Sequence, residues 1–587
     1  MIAFITDDWQ LDLTSHKLTF IEESSLFYNY FVSGYSLPFS IKISDELALE
    51  LGFIDEDNIT DYKTRYEGFL QQDGNFSVAI LELDQYDGER LSGSFVYGNQ
   101  TLPILDTKLS DLPWPVISTD NIENHAKSII NKGFPEVGYN FPMIIDTEFD
   151  QNTNYEKFEG IFNSFDGTNY VRNNKTIEDG EEIIYNRNVI TPYPYIQEIL
   201  KVGFEHAGLS YAGDFFSDPI NSKLIWDTGM FLEQTFSPLP PSFRFQLANL
   251  NTQVGNNVVS TYKKTLNINT VGSYTIKAYL NFPSHIKVEN FKIVMKGKTI
   301  YTNTIGRLDK LISLNIEEIT DYGLLELQMS LVRFNVTDSI EDISPYHNFT
   351  FWANDGRLNV FPDSFSIADV LPDMTFSAFL NKLKNWLNLD IDFKHDTVTI
   401  DYVEEKFVET SFRDESHLEA EKYIKKSNQN KAYVLKDSRE TIHINKDGVV
   451  SDIAAYKDEN VNTIDTGVDI MKIEKKNSVF TARRREGSDF RILLYDGLKN
   501  GLPVTVSAIN EIDFSIENVY ERLWKNWLRF RVTSETIKDK FSCDIYENLT
   551  TELGRYKYNK TQLVKKISKR RVKENTWEVQ IESETFG

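Results

Sequence analysis

Seven Asp-Gly pairs punctuate this chain, at Asp73, Asp87, Asp166, Asp179, Asp355, Asp447 and Asp496. Both residues tolerate the positive φ that tight hairpins demand, so a chain turned this often is built mainly from short antiparallel strands. The neighbouring runs agree: FSVAILEL (76–83) and GSFVYG (93–98) alternate or nearly alternate between apolar and polar residues. Forty Phe and 29 Tyr against 7 Met bias the composition the same way, toward sheets and broad contact surfaces rather than helical bundles. At 587 residues the chain exceeds what one core supports, and about three to five domains are expected.

The pattern divides the chain into five stretches. Residues 1–115 read as a compact β domain with one short helix, opened by Ser44 and closed by Gly52 in SDELALELG. In 116–250 two amphipathic helices stand among strands: STDNIENHAKSIINKG, ended by Gly133, and TPYPYIQEILKVGFEHAG, with Pro194 in its first turn and Gly208 at its end. The polar run 162–180 reads as an exposed loop. Residues 251–356 carry almost no helical signal; VGSYTIKAYLNFP and LLELQMSLVRF alternate, which points to an inserted β-sandwich. In 357–405 a helix with Phe376, Phe379, Leu380, Leu383, Trp386 and Leu387 on one face, N-capped by Asp373 or Thr375, runs into a hairpin. Past Leu387 the period switches from 3.6 to 2, and Leu389, Ile391 and Phe393 face Val398, Ile400 and Tyr402. Residues 406–587 read as a second β domain covered by one helix, SIENVYERLWKNWLRFR.

Charge and motif exclude most chemistry. The net charge of −26 argues against wrapping nucleic acid through its phosphates. That charge is uneven: residues 471–587 hold 23 Lys+Arg against 17 Asp+Glu, and residues 1–470 hold 39 against 71. A basic end on an acidic chain suits head-to-tail docking, or simply reflects uneven surface charge. Cys543 is the only cysteine, so no intrachain disulfide forms. The start MIAFITDDWQLDL lacks the pattern of a secretory signal, and no apolar run is long enough for a membrane span, so a protein made in a cytoplasm is expected. None of the eight histidines (His16, His125, His206, His285, His347, His395, His417, His443) lies three or four residues from another, which removes the helical zinc pair. His206 suits the negative end of its helix. DTEFDQN, from Asp146 to Asn152, begins like a calcium loop, but Gln151 stands where glycine is required and Lys157 where a bidentate glutamate is required. Asp390 and Asp392 alternate with apolar residues and are expected on the wet face of a strand. ARRREG (482–487) and KKISKRR (565–571) are basic runs, the second expected on a solvated or subunit-facing edge. No nucleophile elbow, phosphate loop or dinucleotide fingerprint occurs. No catalytic residue, metal or cofactor is therefore expected.

The stretches YSLPFSIKISDELALELG, YPYIQEILKVGFEHAG, LPDMTFSAFLNKLKNWLNLDIDF and SIENVYERLWKNWLRFRV with KTQLVKKISKRR follow one another in an order that resembles the central hub protein of phage tails, found in contractile baseplates and in tail tips of long-tailed phages, most of all those of Bacteroidetes-type hosts. The resemblance implies a β-rich α+β multidomain fold with two hub-type β-barrels, 1–115 and 406–587, joined by α+β material. It implies a homotrimer whose six barrels form a ring that closes or extends the tail tube, adapts sixfold to threefold symmetry and leaves a channel for DNA, which the chain meets only transiently in the lumen. Partners implied are copies of itself, the tail tube or distal tail protein, and a tail spike, fibre or other baseplate protein; the location implied is the virion. The 251–356 block departs from the simplest hub plan. Two other classes stay open: a receptor- or carbohydrate-binding tail protein, and an enzyme that degrades cell envelope.

Overall fold

The computed structural model describes residues 2–28, 33–52, 63–72, 74–98, 102–119, 122–147, 149, 158, 160–171, 174–178, 181–185, 188–232, 235–236, 242–245, 248–268, 272–295, 297–316, 323–334, 342–353, 359–360, 364–394, 396–476, 479–485, 489–544, 547, 549–573 and 575–586. Three hydrophobic cores organise them.

The first core lies under a 14-stranded sheet that draws on both ends of the chain. From one edge the order is Gln10–Asp12, Ile2–Ile5, Arg65–Gln72, Asn75–Tyr86, Arg90–Gly98, Ser33–Ser36, Thr19–Glu23, Lys560–Lys573, Thr576–Thr585, Glu535–Asp544 and Tyr423–Ser427. Phe39–Lys42, Gly554–Lys557 and Phe412–Asp414 attach beside this path. Strict alternation sets the faces: in Arg90–Gly98, Leu91, Gly93, Phe95 and Tyr97 are buried and their neighbours are not. Asp87 shapes the preceding turn by accepting from the Glu89 and Arg90 amides at 3.1 and 2.7 Å, while Gly88 takes φ 93°. The two halves meet where Thr19–Glu23 runs antiparallel to Lys560–Lys573, from Thr19↔Arg570 to Glu23↔Lys566. Beneath the seam Phe20 meets Trp577 edge to face, 6.2 Å between ring centres. The expectation of two closed barrels is corrected here: among the described residues no barrel closes, and strands from both ends share one sheet. Periodicity tells a strand which face to bury; it does not tell it which distant strand to join.

The second core gathers the α+β material. Helix Phe376–Leu387 starts on Thr375, whose hydroxyl accepts from the Ala378 amide at 3.3 Å. It stops at Asn388 in the left-handed region, φ 50°, and the period switch follows at once with the hairpin Leu389–Lys394/Thr397–Tyr402. Asn388 then donates to the Leu523 carbonyl at 2.6 Å, which ties this unit to the C-terminal helices. Those helices are two, Ile516–Leu523 and Lys525–Thr533, broken at Trp524 where one continuous helix was expected. The break is specified from outside: Glu404 accepts from the Asn526 and Trp527 amides at 2.8 and 3.0 Å, supplying the second helix with the cap its own sequence lacks. Pro194 sits in a two-residue strand, and helix Ile196–His206 begins after it.

The stretch 406–587 does not stay together. Ala432–Lys436, Thr441–Asn445, Gly448–Val450 and Val461–Asp465 form a separate sheet against the C-terminal helices. Val479–Arg483 pairs in parallel with Ile144–Ile145, and Arg491–Lys499 pairs with Leu224–Asp227. Nor is 162–180 an open loop. Phe162, Asn163, Phe165 and Tyr170 are buried, and Asn174–Glu178 forms a hairpin with Glu181–Tyr185.

The third core fills a sandwich between the sheet Ser242–Phe243, His347–Ala353, Gly272–Asn281, Arg307–Ile316 and the sheet Leu250–Val254, Asn257–Ile268, Gly323–Arg333, Ile286–Met295, Lys298–Asn303. Its inward rows are the alternating residues read from the sequence, among them Tyr274, Ile276, Ala278 and Leu280 against Leu325, Leu327, Met329 and Leu331.

Candidate functional site

Where the three parts of the main body converge, a cleft of about 610 Å³ opens. Glu22, Glu23 and Tyr97 line it from the N-terminal strands, Asp390, Asp392 and Lys406 from the hairpin and the helix after it, and Thr550–Leu553 from the connection that leads into strand Gly554–Lys557. Among the described residues, six carboxylates and one lysine line the cleft. The lysines that answer the carboxylates come from behind. In KKISKRR, Lys566 meets Glu23 at 2.8 Å and Lys569 meets Glu22 at 3.1 Å. That basic run was expected on a solvated or subunit-facing edge; it instead forms a ladder to the N-terminal strand of the same chain, because strand pairing places it there.

Asp390 is also relocated. It is 5% exposed, not on a wet face, because helix Val403–Glu409 folds over the hairpin and brings Lys406 to 2.8 Å. Burial alone raises the Asp390 carboxyl, but Lys406 and Lys384 outweigh it and hold it below the usual range. Burial likewise opposes the Lys406 charge, and Asp390 with Asp401, the latter at 3.0 Å, keeps its ammonium well above the ordinary lysine value. Lys384, fully enclosed, is pushed down by burial and donates to the Ser25 and Leu389 carbonyls at 3.1 and 3.2 Å. Neither Asp390 nor Lys406 is poised near neutrality, where general acid–base work needs it. The geometry is that of a joint.

Two further joints follow the same logic. In ARRREG, the Arg484 side chain is only 8% exposed: it grips Asp227 with two nitrogens at 2.7 and 2.8 Å, meets Asp146 at 2.9 Å and rests 4.6 Å over the Phe162 ring. Arg491 adds a contact to Asp227 at 3.0 Å. Burial would raise the Asp227 carboxyl, yet the two guanidinium groups hold it below the usual range. Asp146 is thus occupied as the first residue of the calcium-like stretch; Glu148, Asp150 and Asn152 lie outside the described residues. In the C-terminal strands, buried Asp539 accepts from Arg555 at 3.1 Å, Lys557 at 2.6 Å and Tyr558 at 3.0 Å. No signal in the sequence separates these buried charges from solvated ones, since the chain has 88 acidic residues.

The histidines stay apart. His347 is a core residue: its Nε2 accepts from the Phe245 amide at 2.7 Å, its Nδ1 donates to the Ile343 carbonyl at 2.9 Å, and burial lowers its pKa to about 4. His125 contacts the Tyr139 hydroxyl at 2.7 Å and is lowered by burial. His417 meets Glu547 at 3.1 Å, His206 closes its helix, and His395 lies outside the described residues. Burial pushes the Cys543 thiol up to about 11, which suits packing rather than attack. Among the described residues no three His, Cys, Asp or Glu side chains are grouped to hold a metal ion, and no helix is long and apolar enough to cross a membrane.

Comparison with known proteins yields only distant likenesses. No family model matches the chain, and no curated protein matches it. Among solved structures, it is similar to the 43 kDa tail protein of prophage MuSo2 from Shewanella oneidensis, at 8% identity and a TM-score of 0.34 over 99% of this chain and 97% of that one. It is similar also to a tail protein from Neisseria meningitidis MC58, at 9% identity and a TM-score of 0.19 over 53% of this chain and 96% of that one. Superpositions this loose carry no argument about fold or function.

Proposed function

We propose that this chain is a structural component of a phage tail, acting as a hub that forms a ring around a DNA channel and adapts a sixfold tube to threefold symmetry, without a reaction of its own. The observation that carries the reading is the order of the sequence segments that resemble tail hubs. The joint geometry supports it: carboxylate–lysine and carboxylate–arginine pairs bind segments hundreds of residues apart, as in Lys566 with Glu23 and Arg484 with Asp146. Such cross-links suit a part that transmits load. The acidic balance of the chain supports passage of DNA without adhesion.

The sandwich is an outward module in this reading, meeting another tail protein or a surface ligand. A carbohydrate-binding role gains little support, since Tyr274, Phe349 and Phe351 point into its core and Tyr279 and Phe334 are the two aromatics among its described residues that are markedly exposed. Mass photometry with negative-stain class averages tests the proposal. Closed rings of threefold or pseudo-sixfold symmetry are expected, alone or with tail partners; particles that stay monomeric and never enter tails would sink it.

A further inference from the structure

The large sheet ends, among the described residues, in two edges of opposite charge. At one end Tyr423–Ser427 hydrogen-bonds only to Glu535–Asp544. All five of its residues are exposed, with Tyr423 at 44% and Ile424 at 57%. Lys422, Lys425 and Lys426 stand on or beside it. Lys425 is engaged with Glu535 at 2.9 Å, whereas Lys422 and Lys426 extend into solvent. At the other end the three-residue strand Gln10–Asp12 hydrogen-bonds only to Ile2–Ile5. Asp7 and Asp8 in the turn before it, and Asp12 within it, enter no ion pair among the described residues, and Leu11 and Trp9 are half-buried beside them.

We infer that copies of this chain join edge to edge, the lysine-bearing strand Tyr423–Ser427 of one pairing with the aspartate-bearing strand Gln10–Asp12 of the next. This rests on the ring proposed above and names the surfaces that would close it. An exposed edge offers a row of unpaired N–H and C=O groups, a template for another strand. Lysines on such an edge oppose its pairing with an identical basic edge and favour an acidic one. The contact is therefore heterologous, the kind that builds closed rings rather than twofold dimers. Ile424 and Tyr423 supply apolar area on the basic side, whereas on the acidic side Leu11 and Trp9 pack against the chain's own core and the contact is made by backbone and charge. Because the acidic strand is short, much of the attraction is between surface charges, and the contact weakens with salt.

Charge reversal tests this at positions that hold no fold contacts. D7K/D8K and K422E/K426E, each alone, are expected to reduce the ring fraction seen by mass photometry by at least about tenfold, since like charges then face across the contact. All four substitutions in one chain restore it. A second test uses cross-linking: Gln10→Cys, at an exposed position of the acidic strand, with Ile424→Cys in a Cys543→Ser background is expected to give an oxidised ladder of linked copies, and either cysteine alone only linked pairs at most. Rings that persist through both reversals and yield no ladder overturn the edge pairing while leaving the ring reading intact. Wild-type protein that is monomeric at every concentration and with tail partners overturns both.

Discussion

The main body and the sandwich solve the same problem in different ways. The sandwich is made from one continuous stretch, although only two of its seven strand pairings among the described residues join consecutive strands, and its interior is largely apolar, with stacked rings such as Tyr274 on Phe351 at 5.4 Å and one enclosed cation, Arg333, held by the Ser260 and Tyr262 hydroxyls. The main body brings together segments from both ends of the chain and places charges at their meeting points: Arg484 between Asp146 and Asp227, Lys406 on Asp390, Lys566 on Glu23. Apolar burial is strong but indifferent to partner. A buried charge tolerates only a few arrangements, because leaving it unpaired is costly. Confinement to one stretch, 242–353, narrows the partner choice for the sandwich, and pairing across most of the chain makes the polar joints of the main body worth their desolvation.

Breaking the polar side of this contrast has the largest expected effect. Asp227→Ala leaves Arg484 and Arg491 facing each other without their shared carboxylate, and a loss of about 3–5 kcal/mol is expected on chemical denaturation. Because the Asp227 carboxyl is depressed in the folded state, its contribution is present above the unfolded carboxylate pKa and is lost as pH falls through the folded value. The wild-type protein should lose this joint on acidification, and Asp227→Asn should flatten that part of the stability–pH curve. An unchanged acid limb would mean the joint contributes nothing.

The sandwich has its own sharper test in His347, a titratable group enclosed in its core. Its folded pKa of about 4 lies below the ordinary histidine value of 6.5, so unfolding takes up a proton as the pH falls between them. Stability is whole above the upper value and declines toward the lower one, by roughly 3 kcal/mol at most. Hydrogen exchange followed by mass spectrometry should show residues 272–353 loosening in this window, while the large sheet keeps its protection. Simultaneous loosening of both would show that the two cores are one cooperative unit.

The smallest effect belongs to the seam ladder. Lys566 is a third exposed, so Lys566→Ala should cost under about 1 kcal/mol, less still at high salt. A loss of several kcal/mol in thermal unfolding would mean that the seam, not the apolar layer of Phe20 and Trp577 beneath it, holds the two ends together.

The features legible in the residues alone are local. The switch of period after Leu387 marked helix and hairpin, alternation in 271–283 and 324–334 marked the sandwich rows, and Asp-Gly marked turns such as Asp87–Gly88, since each depends on residues only a few positions apart. Partner choice lay beyond reach. That Lys560–Lys573 pairs with Thr19–Glu23, that Asp390 goes under a helix, that Glu404 caps the second of two C-terminal helices after Trp524, and that one arginine side chain of ARRREG is enclosed while that of its neighbour Arg483 stays partly exposed follow from the tertiary structure alone. The physical reason is that backbone periodicity is the same for any strand partner, whereas burial of a charge depends on which side chains from elsewhere arrive to meet it.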